Sequence, residues 1–251
     1  MKKIIYFCTL LVFAVSCSSD DADQTPTPTP PVGILLKKTI QTTAFDTYTN
    51  IFTYNGNKLI AITGSSFIIK HFYTGNLITK IEYRNVSGSL QGTNNLTYDA
   101  SQRLTVLTRT NEGIDQGFRS TYQYNADGTI TVKEYSRNEG ESEELDDTKV
   151  YIYGSNNEIE TIKTYNVAGI LTRTTSLVYD TKFNPFHNIT GYSKLMTIDP
   201  ANVFNLVSTT TTGSNPGSQT NTYEYNNDDL ATLRTIYSNG VLDSSTQYIY
   251  Q

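Results

Sequence analysis

An all-β antiparallel meander of about 14–16 short strands, curled into an open or closed barrel-like sheet, is the fold this chain predicts. Three observations carry that prediction. A phrase Tyr-x-Tyr-Asn/Asp, then a turn, then Leu or Ile, recurs with its last tyrosine at Tyr54, Tyr73, Tyr98, Tyr124, Tyr153, Tyr179, Tyr225 and Tyr250. Its successive spacings are 19, 25, 26, 29, 26, 46 and 25 residues. A period near 25 residues fits two short strands with two turns and is too short for two packed helices with loops. The residues between tyrosine and aliphatic are Asn, Asp and Gly, which tolerate the positive φ of tight hairpins, Asn55-Gly56 being the strongest such signal.

Three segments follow in chain order. Residues 1–16 read as a signal peptide: Lys2 and Lys3 form a basic start, and Ile4 to Val15 is an apolar run too short to span a bilayer as a helix. Residues 17–32 read as a lipidated cysteine and a disordered tether. Ala14-Val15-Ser16-Cys17 resembles a bacterial lipobox, with alanine where leucine is usual, and this makes Cys17 the expected lipid attachment site. The alternative is ordinary cleavage after Ser16, which leaves a free thiol. The apolar run ends at Cys17, and no other cysteine follows it. Acidic residues Asp20, Asp21 and Asp23 resemble the surface-export signal of Bacteroidota lipoproteins, which implies an outer-membrane anchor facing the cell exterior. Thr25-Pro-Thr-Pro-Thr-Pro-Pro31 lacks the amides a strand ladder needs and favours extended chain, so the tether reaches up to roughly 40 Å.

Residues 33–251 read as a single repeat-built β domain. The best copies are Tyr122-Gln-Tyr-Asn-Ala-Asp-Gly-Thr-Ile130, Tyr151-Ile-Tyr-Gly-Ser-Asn-Asn-Glu-Ile159 and Tyr223-Glu-Tyr-Asn-Asn-Asp-Asp-Leu230. Tyrosines two apart share a strand face. Returning strands read from Leu59, Leu77, Leu104 and Ile159, and second turns are expected at Gly88, Gly140, Gly169 and Gly240. Short connections favour pairing of sequential strands. The last repeat stops at Tyr250, so its strand either closes a ring with the first strand or caps an edge.

Tyr98-Asp-Ala-Ser-Gln-Arg-Leu104 resembles the YD repeat of Rhs-type proteins. The lipobox, the Pro/Thr spacer, the Tyr-x-Tyr-Asn hairpins and Tyr179-Asp-Thr-Lys-Phe-Asn-Pro-Phe186 together resemble a family of Bacteroidota lipoproteins, a domain of unknown function with a porin-like fold. The resemblance spans nearly all of residues 34–251 and implies a barrel-like antiparallel sheet, with no activity to carry over. The chain is far too short for an Rhs toxin shell and has no cargo domain after its repeats.

The chemistry-bearing residues are sparse. Without Lys2 and Lys3, 19 basic residues become 17 against 24 acidic, a net of −7, which argues against nucleic acid and against binding to anionic lipid except through the N-terminal lipid. His71 and His187 are the only histidines, with no zinc-type spacing, and His71 reads as a surface or satisfied strand residue. No nucleophile–base pair can be nominated, so no catalytic residue, no metal and no cofactor is expected, and the chain is read as no enzyme. Glu139, Glu141, Glu143, Glu144, Asp146 and Asp147 read as a solvated loop without calcium-loop spacing. The prolines of Lys182–Pro200 interrupt the repeat, and Phe183 and Phe186 suit a plug at one end of the sheet. Most tyrosines read as structural rungs of the repeat.

The favoured function is a non-catalytic, surface-anchored module binding an extracellular glycan or surface protein. An envelope spacer without a ligand is the second reading. A pore is the third, disfavoured because Lys133 and Glu134 fall on opposite strand faces where a spanning strand needs one apolar face. A hydrolase of unrecognised type comes last.

Overall fold

The computed structural model describes residues 33–195 and 203–251, apart from the side chains of residues 114 and 115. The signal peptide, Cys17 and the tether lie outside the described residues. Sixteen strands run in an unbroken antiparallel meander: β1 (Leu36–Thr43), β2 (Thr47–Asn55), β3 (Lys58–Thr63), β4 (Phe67–Thr74), β5 (Leu77–Asn85), β6 (Leu90–Tyr98), β7 (Leu104–Asn111) and β8 (Ile114–Tyr124), then β9 (Ile130–Arg137), β10 (Glu144–Tyr153), β11 (Ile159–Tyr165), β12 (Leu171–Phe183), β13 (Phe204–Gly213), β14 (Gly217–Tyr225), β15 (Ala231–Ser238) and β16 (Val241–Tyr250). β16 pairs with β1, Tyr248 opposite Thr39, so the unfinished last repeat closes the barrel. Closure satisfies every strand edge that an open sheet would leave bare.

The expected turns are where the sequence places them. Gly56 and Gly75 take φ +57° in the tight hairpins after β2 and β4, and Gly88, Gly140, Gly169 and Gly240 take φ +88°, +75°, +74° and +80° at the opposite end. A bulge recurs beside the tyrosine turns, at Lys37, Ile60, Thr79, Thr105, Glu160 and Thr232. Each bulge inserts one residue and resets the inward–outward alternation. Leu59 and Ile62 therefore both face inward although they are three apart, and so do Leu104 and Leu107. Two bulge threonines bond back across the ladder, Thr105 to the Thr97 carbonyl (3.1 Å) and Thr232 to the Glu224 carbonyl (3.2 Å).

The two ends of the barrel differ. At the end where the tyrosine turns lie, the interior is apolar. Ile78, Leu96, Leu104, Leu107, Ile130, Val132 and Ile159 form one buried cluster, and Leu36, Phe52, Leu59, Ile189, Ala231 and Tyr248 form another. Tyr192 packs against both. The segment after β12 fills this end: Phe186 stacks on Tyr192 (5.0 Å) and meets Phe52 (6.0 Å), while Phe183 stacks on His187 and Phe204. Thr190 N–H bonds to the Asn57 carbonyl and Asn188 Nδ2 to the Ile34 carbonyl, both at 2.9 Å, tying the plug to the wall. Gly191 is required there, since a Cβ would sit 2.4 Å from the Asn76 carbonyl oxygen and its φ is +77°. The remainder of the insertion, residues 196–202, lies outside the described residues.

The repeat tyrosines are rungs. Tyr54, Tyr98, Tyr124, Tyr179 and Tyr250 donate their hydroxyls to the carbonyls of Leu36, Ile78, Leu104, Ile159 and Ala231 at 2.7–3.0 Å. Each bond joins a tyrosine to the first or second residue of a strand 18–20 positions earlier, so the repeat stitches itself around the barrel. Burial pushes the pKa of the Tyr54, Tyr98, Tyr124 and Tyr250 phenols up and keeps them protonated as donors. The Tyr73 hydroxyl makes no hydrogen bond among the described residues, and Tyr225 departs from the rule too. Its hydroxyl bonds the Asp180 carboxylate instead, which also accepts from the backbone N–H groups of Lys182 and Asn205.

Candidate functional site

Past the apolar half, the inward positions turn polar and charged. Register places Asn94, Arg109, Phe118 and Ser136 side by side across β6–β9, and Glu134 opposite Asp147 on β10. Lys149, Thr164 and Arg173 share the inner face of β10–β12, and Arg234 stands between Tyr223 and Thr246 on β14–β16. A sixteen-stranded ring is wide enough for an aqueous lumen when side chains do not fill it. Here tyrosines and the plug fill one end, and polar and charged residues line the other.

The polar wall is held by named bonds. Asn94, almost fully buried, donates to the Tyr83 hydroxyl (3.1 Å) and accepts from Arg109 Nε (3.0 Å). Lys149 Nζ bonds Glu134 at 2.6 Å, cancelling one inward charge of each sign. Arg109, Arg173 and Arg234 share the inner face with Asp147 and with Glu144, which register places opposite Ser136, so charges of both signs line the lumen. Burial pushes the Asp147 carboxyl above the usual carboxylate range. Asp147 Oδ1, Arg234 Nε and the buried Thr246 hydroxyl make no hydrogen bond among the described residues.

Among the described residues three cavities open at this end. One of about 270 Å³ is lined by Leu107, Arg109, Phe118, Ser120, Tyr122 and Glu134, with Asp146 at its edge. The second lies among Arg109, Phe118, Arg119 and the β9–β10 loop, the third among Tyr83, Gln91, Gly92, Arg109 and Asn111. Arg109 lines all three. The hairpin tips around the mouth carry exposed apolar side chains: Phe45 (95 % exposed), Val86, Val167, Ile170, Val241 and Leu242. The tips at the plugged end are Asn, Asp, Ser and Gly.

The sequence-nominated groups fall as follows. The acidic run does not form one cluster: Glu143 bonds Arg119 (2.6 Å), Asp146 accepts from the Ser136 hydroxyl (2.6 Å), and Asp147 turns inward. Among the described residues no group of three or more His, Cys, Asp and Glu side chains is placed to hold a metal. His71 is buried and inward-facing rather than on the surface, its Nδ1 without a bond, and burial lowers its pKa to about 4. His187 lies in the plug with Nδ1 2.7 Å from the Asn184 carbonyl and its ring stacked on Phe183. Sequence reasoning missed Glu158, which is fully buried in the turn before β11 and accepts the Phe204 N–H (2.9 Å), fixing β13 to the barrel after the insertion. Its pKa is raised by burial.

The outward faces carry charges at mid-strand: Lys70 on β4, the Lys80–Glu82–Arg84 row on β5, Arg119 on β8, Lys133 on β9 and Lys163 on β11. Threonine and serine occupy most of the remaining outward positions, as on β12–β14, where Thr174, Ser176, Ser208, Thr210 and Thr220 stand in register.

No family model and no curated protein matches the chain. Among solved structures it is similar to a porin-like protein from Bacteroides uniformis ATCC 8492, at 12 % identity with a TM-score of 0.51, over 89 % of this chain and 99 % of that one. A second similarity is to the TcdB2-TccC3-TEV structure, at 16 % identity and a TM-score of 0.26, over 81 % of this chain and 10 % of that one. The first likeness shows the barrel fold; the second carries no argument.

Proposed function

We propose that this chain is a non-catalytic, lipid-anchored outer-membrane protein that binds an extracellular ligand, a glycan or a surface protein, at the open mouth of its barrel. One observation carries the reading. The first strand begins and the last strand ends at the plugged end, Leu36 opposite Tyr250, so a tether from Cys17 joins there and the polar mouth points away from the anchor. A lumen that is closed beneath and open above holds a ligand and does not conduct one. The apolar tips add a rim against which such a ligand can pack.

The outer face supports a tethered domain over a spanning one. A lipid-facing Lys or Arg at the bilayer midplane costs about 2–4 kcal/mol, and five strands carry one at mid-strand. The repeated Tyr-Asp hairpins and the lipobox keep their resemblance to Bacteroidota surface lipoproteins as part of this proposal.

Detergent partition of the full chain and of Cys17→Ser tests the anchoring. The wild type should enter the detergent phase and the variant the aqueous phase. A variant that still needs detergent contradicts the tether and favours a spanning barrel. Thermal melts across glycan and surface-protein panels test the binding, since a ligand held only by the folded state raises Tm. A blank across both panels contradicts it in favour of a spacer.

A further inference from the structure

We infer that the mouth selects an anionic saccharide, a uronate or a sulfated sugar, whose acidic group is held by Arg109 and whose ring lies on Phe118. This rests on the binding reading above and names its ligand class. The argument begins with the guanidinium. Asn94 holds Nε at 3.0 Å and is itself buried and bonded to Tyr83, so the fork is oriented by the wall. No hydrogen bond among the described residues uses its two terminal amino groups, and the side chain borders every one of the three cavities. An oriented fork with free donors matches a planar carboxylate or a sulfate through two parallel bonds.

The surroundings narrow the ligand from any anion to a sugar. Phe118 is the cross-strand partner of Arg109, is 51 % exposed, and lines two of the same cavities. With Tyr122 and Leu107 it offers an apolar face of the kind a pyranose covers. Ser120, Glu134 and Asp146 stand across the cavity and accept from hydroxyl groups, which a simple carboxylate or inorganic ion does not possess. Lys149 neutralises Glu134, so the carboxylate that meets the ligand's hydroxyls does not cancel the attraction of Arg109 for its acid. The cavity of about 270 Å³ suits one or two sugar residues, with the chain leaving through the mouth.

The test is calorimetric titration of the full chain in detergent with an oligouronate, its methyl ester, a sulfated oligosaccharide and a neutral glucan. At least one anionic oligomer should bind ten times or more tighter than its neutral counterpart, and the preference should shrink as salt is raised. Arg109→Gln should abolish the preference, Arg109→Lys should restore only part of it, and Phe118→Ala should weaken anionic and neutral sugars alike. Unchanged melting curves for Arg109→Gln and Phe118→Ala exclude loss of fold as the cause. Equal binding of neutral and anionic sugars, or a preference that survives Arg109→Gln, overturns this inference and leaves the binding barrel standing. Binding of a surface protein with none of the four sugars overturns it as well. No binding to any glycan or protein overturns both.

Discussion

The plugged end and the mouth are made from the same sixteen strands, yet they answer to different physical demands. At the plugged end a large apolar area is buried and half-buried tyrosines such as Tyr54, Tyr98 and Tyr124 donate their hydroxyls to carbonyls, while Tyr73 Oη, Glu158 Oε2, His187 Nε2 and Asn205 Oδ1 make no hydrogen bond among the described residues. At the mouth, arginines, Asp147 and Thr246 keep bonding capacity unused, and the hairpin tips expose Phe45, Val167 and Val241. The ends therefore differ in apolar burial and in the exposure of their tips, and unpaired polar atoms occur at both. The difference teaches that stability and recognition are segregated along the barrel axis, and mutation can test that segregation at either end.

The largest effect is expected from the plugged end. Ile78→Ala removes a fully buried side chain and should cost about 2–5 kcal/mol in urea unfolding. Ser120→Ala, in the mouth cavity, should change stability by less than about 0.5 kcal/mol. Similar costs at both positions would break the comparison.

Acid should act next, through His71. Its folded pKa of about 4 lies below the ordinary 6.5, so the unfolded chain binds the extra proton between those values. Stability is therefore complete above pH 6.5 and falls as pH drops towards 4, by about 3 kcal/mol from this group. The raised carboxyls of Asp147 and Glu158 act in the opposite sense and blunt the fall. His71→Leu should flatten the acid limb of a stability–pH curve, and an unchanged limb would show that His71 is not buried neutral.

The smallest effects sharpen the account of the rungs. Tyr98→Phe loses a neutral bond to a carbonyl and should cost about 1 kcal/mol. Tyr225→Phe takes a donor from the Asp180 carboxylate and should cost about 2 kcal/mol, since bonds to charged groups are worth more. The reverse order would mean that water replaces Tyr225 at Asp180.

The array of hairpins was legible because it is written locally: Asn55-Gly56, Ala126-Asp127-Gly128 and the tyrosine pairs are read within nine residues of one another. The role of Phe183 and Phe186 was legible for the same reason, apolar anchors beside prolines in an otherwise regular repeat. The mouth was not. Whether Arg109 or Arg234 faces inward depends on the bulges at Thr105 and Thr232, and these leave no mark in a period-two alternation. Closure was not legible either, because β1 and β16 meet across the whole chain, as non-local pairing demands. Glu158 was hidden for a third reason: its buried state depends on Phe204 returning from the far side of the insertion.

Residue-resolved hydrogen exchange on the full chain tests the segregation most directly. The account predicts that amides of Ile78, Leu104, Ile130 and Ile159 exchange only through global unfolding, while those of Thr110, Arg119 and Ser136 near the mouth exchange orders of magnitude faster through local opening. Equal protection at the two ends, or slower exchange at the mouth, would show that the polar lumen is packed and shut, and the account of a stabilising end and a binding end would fall.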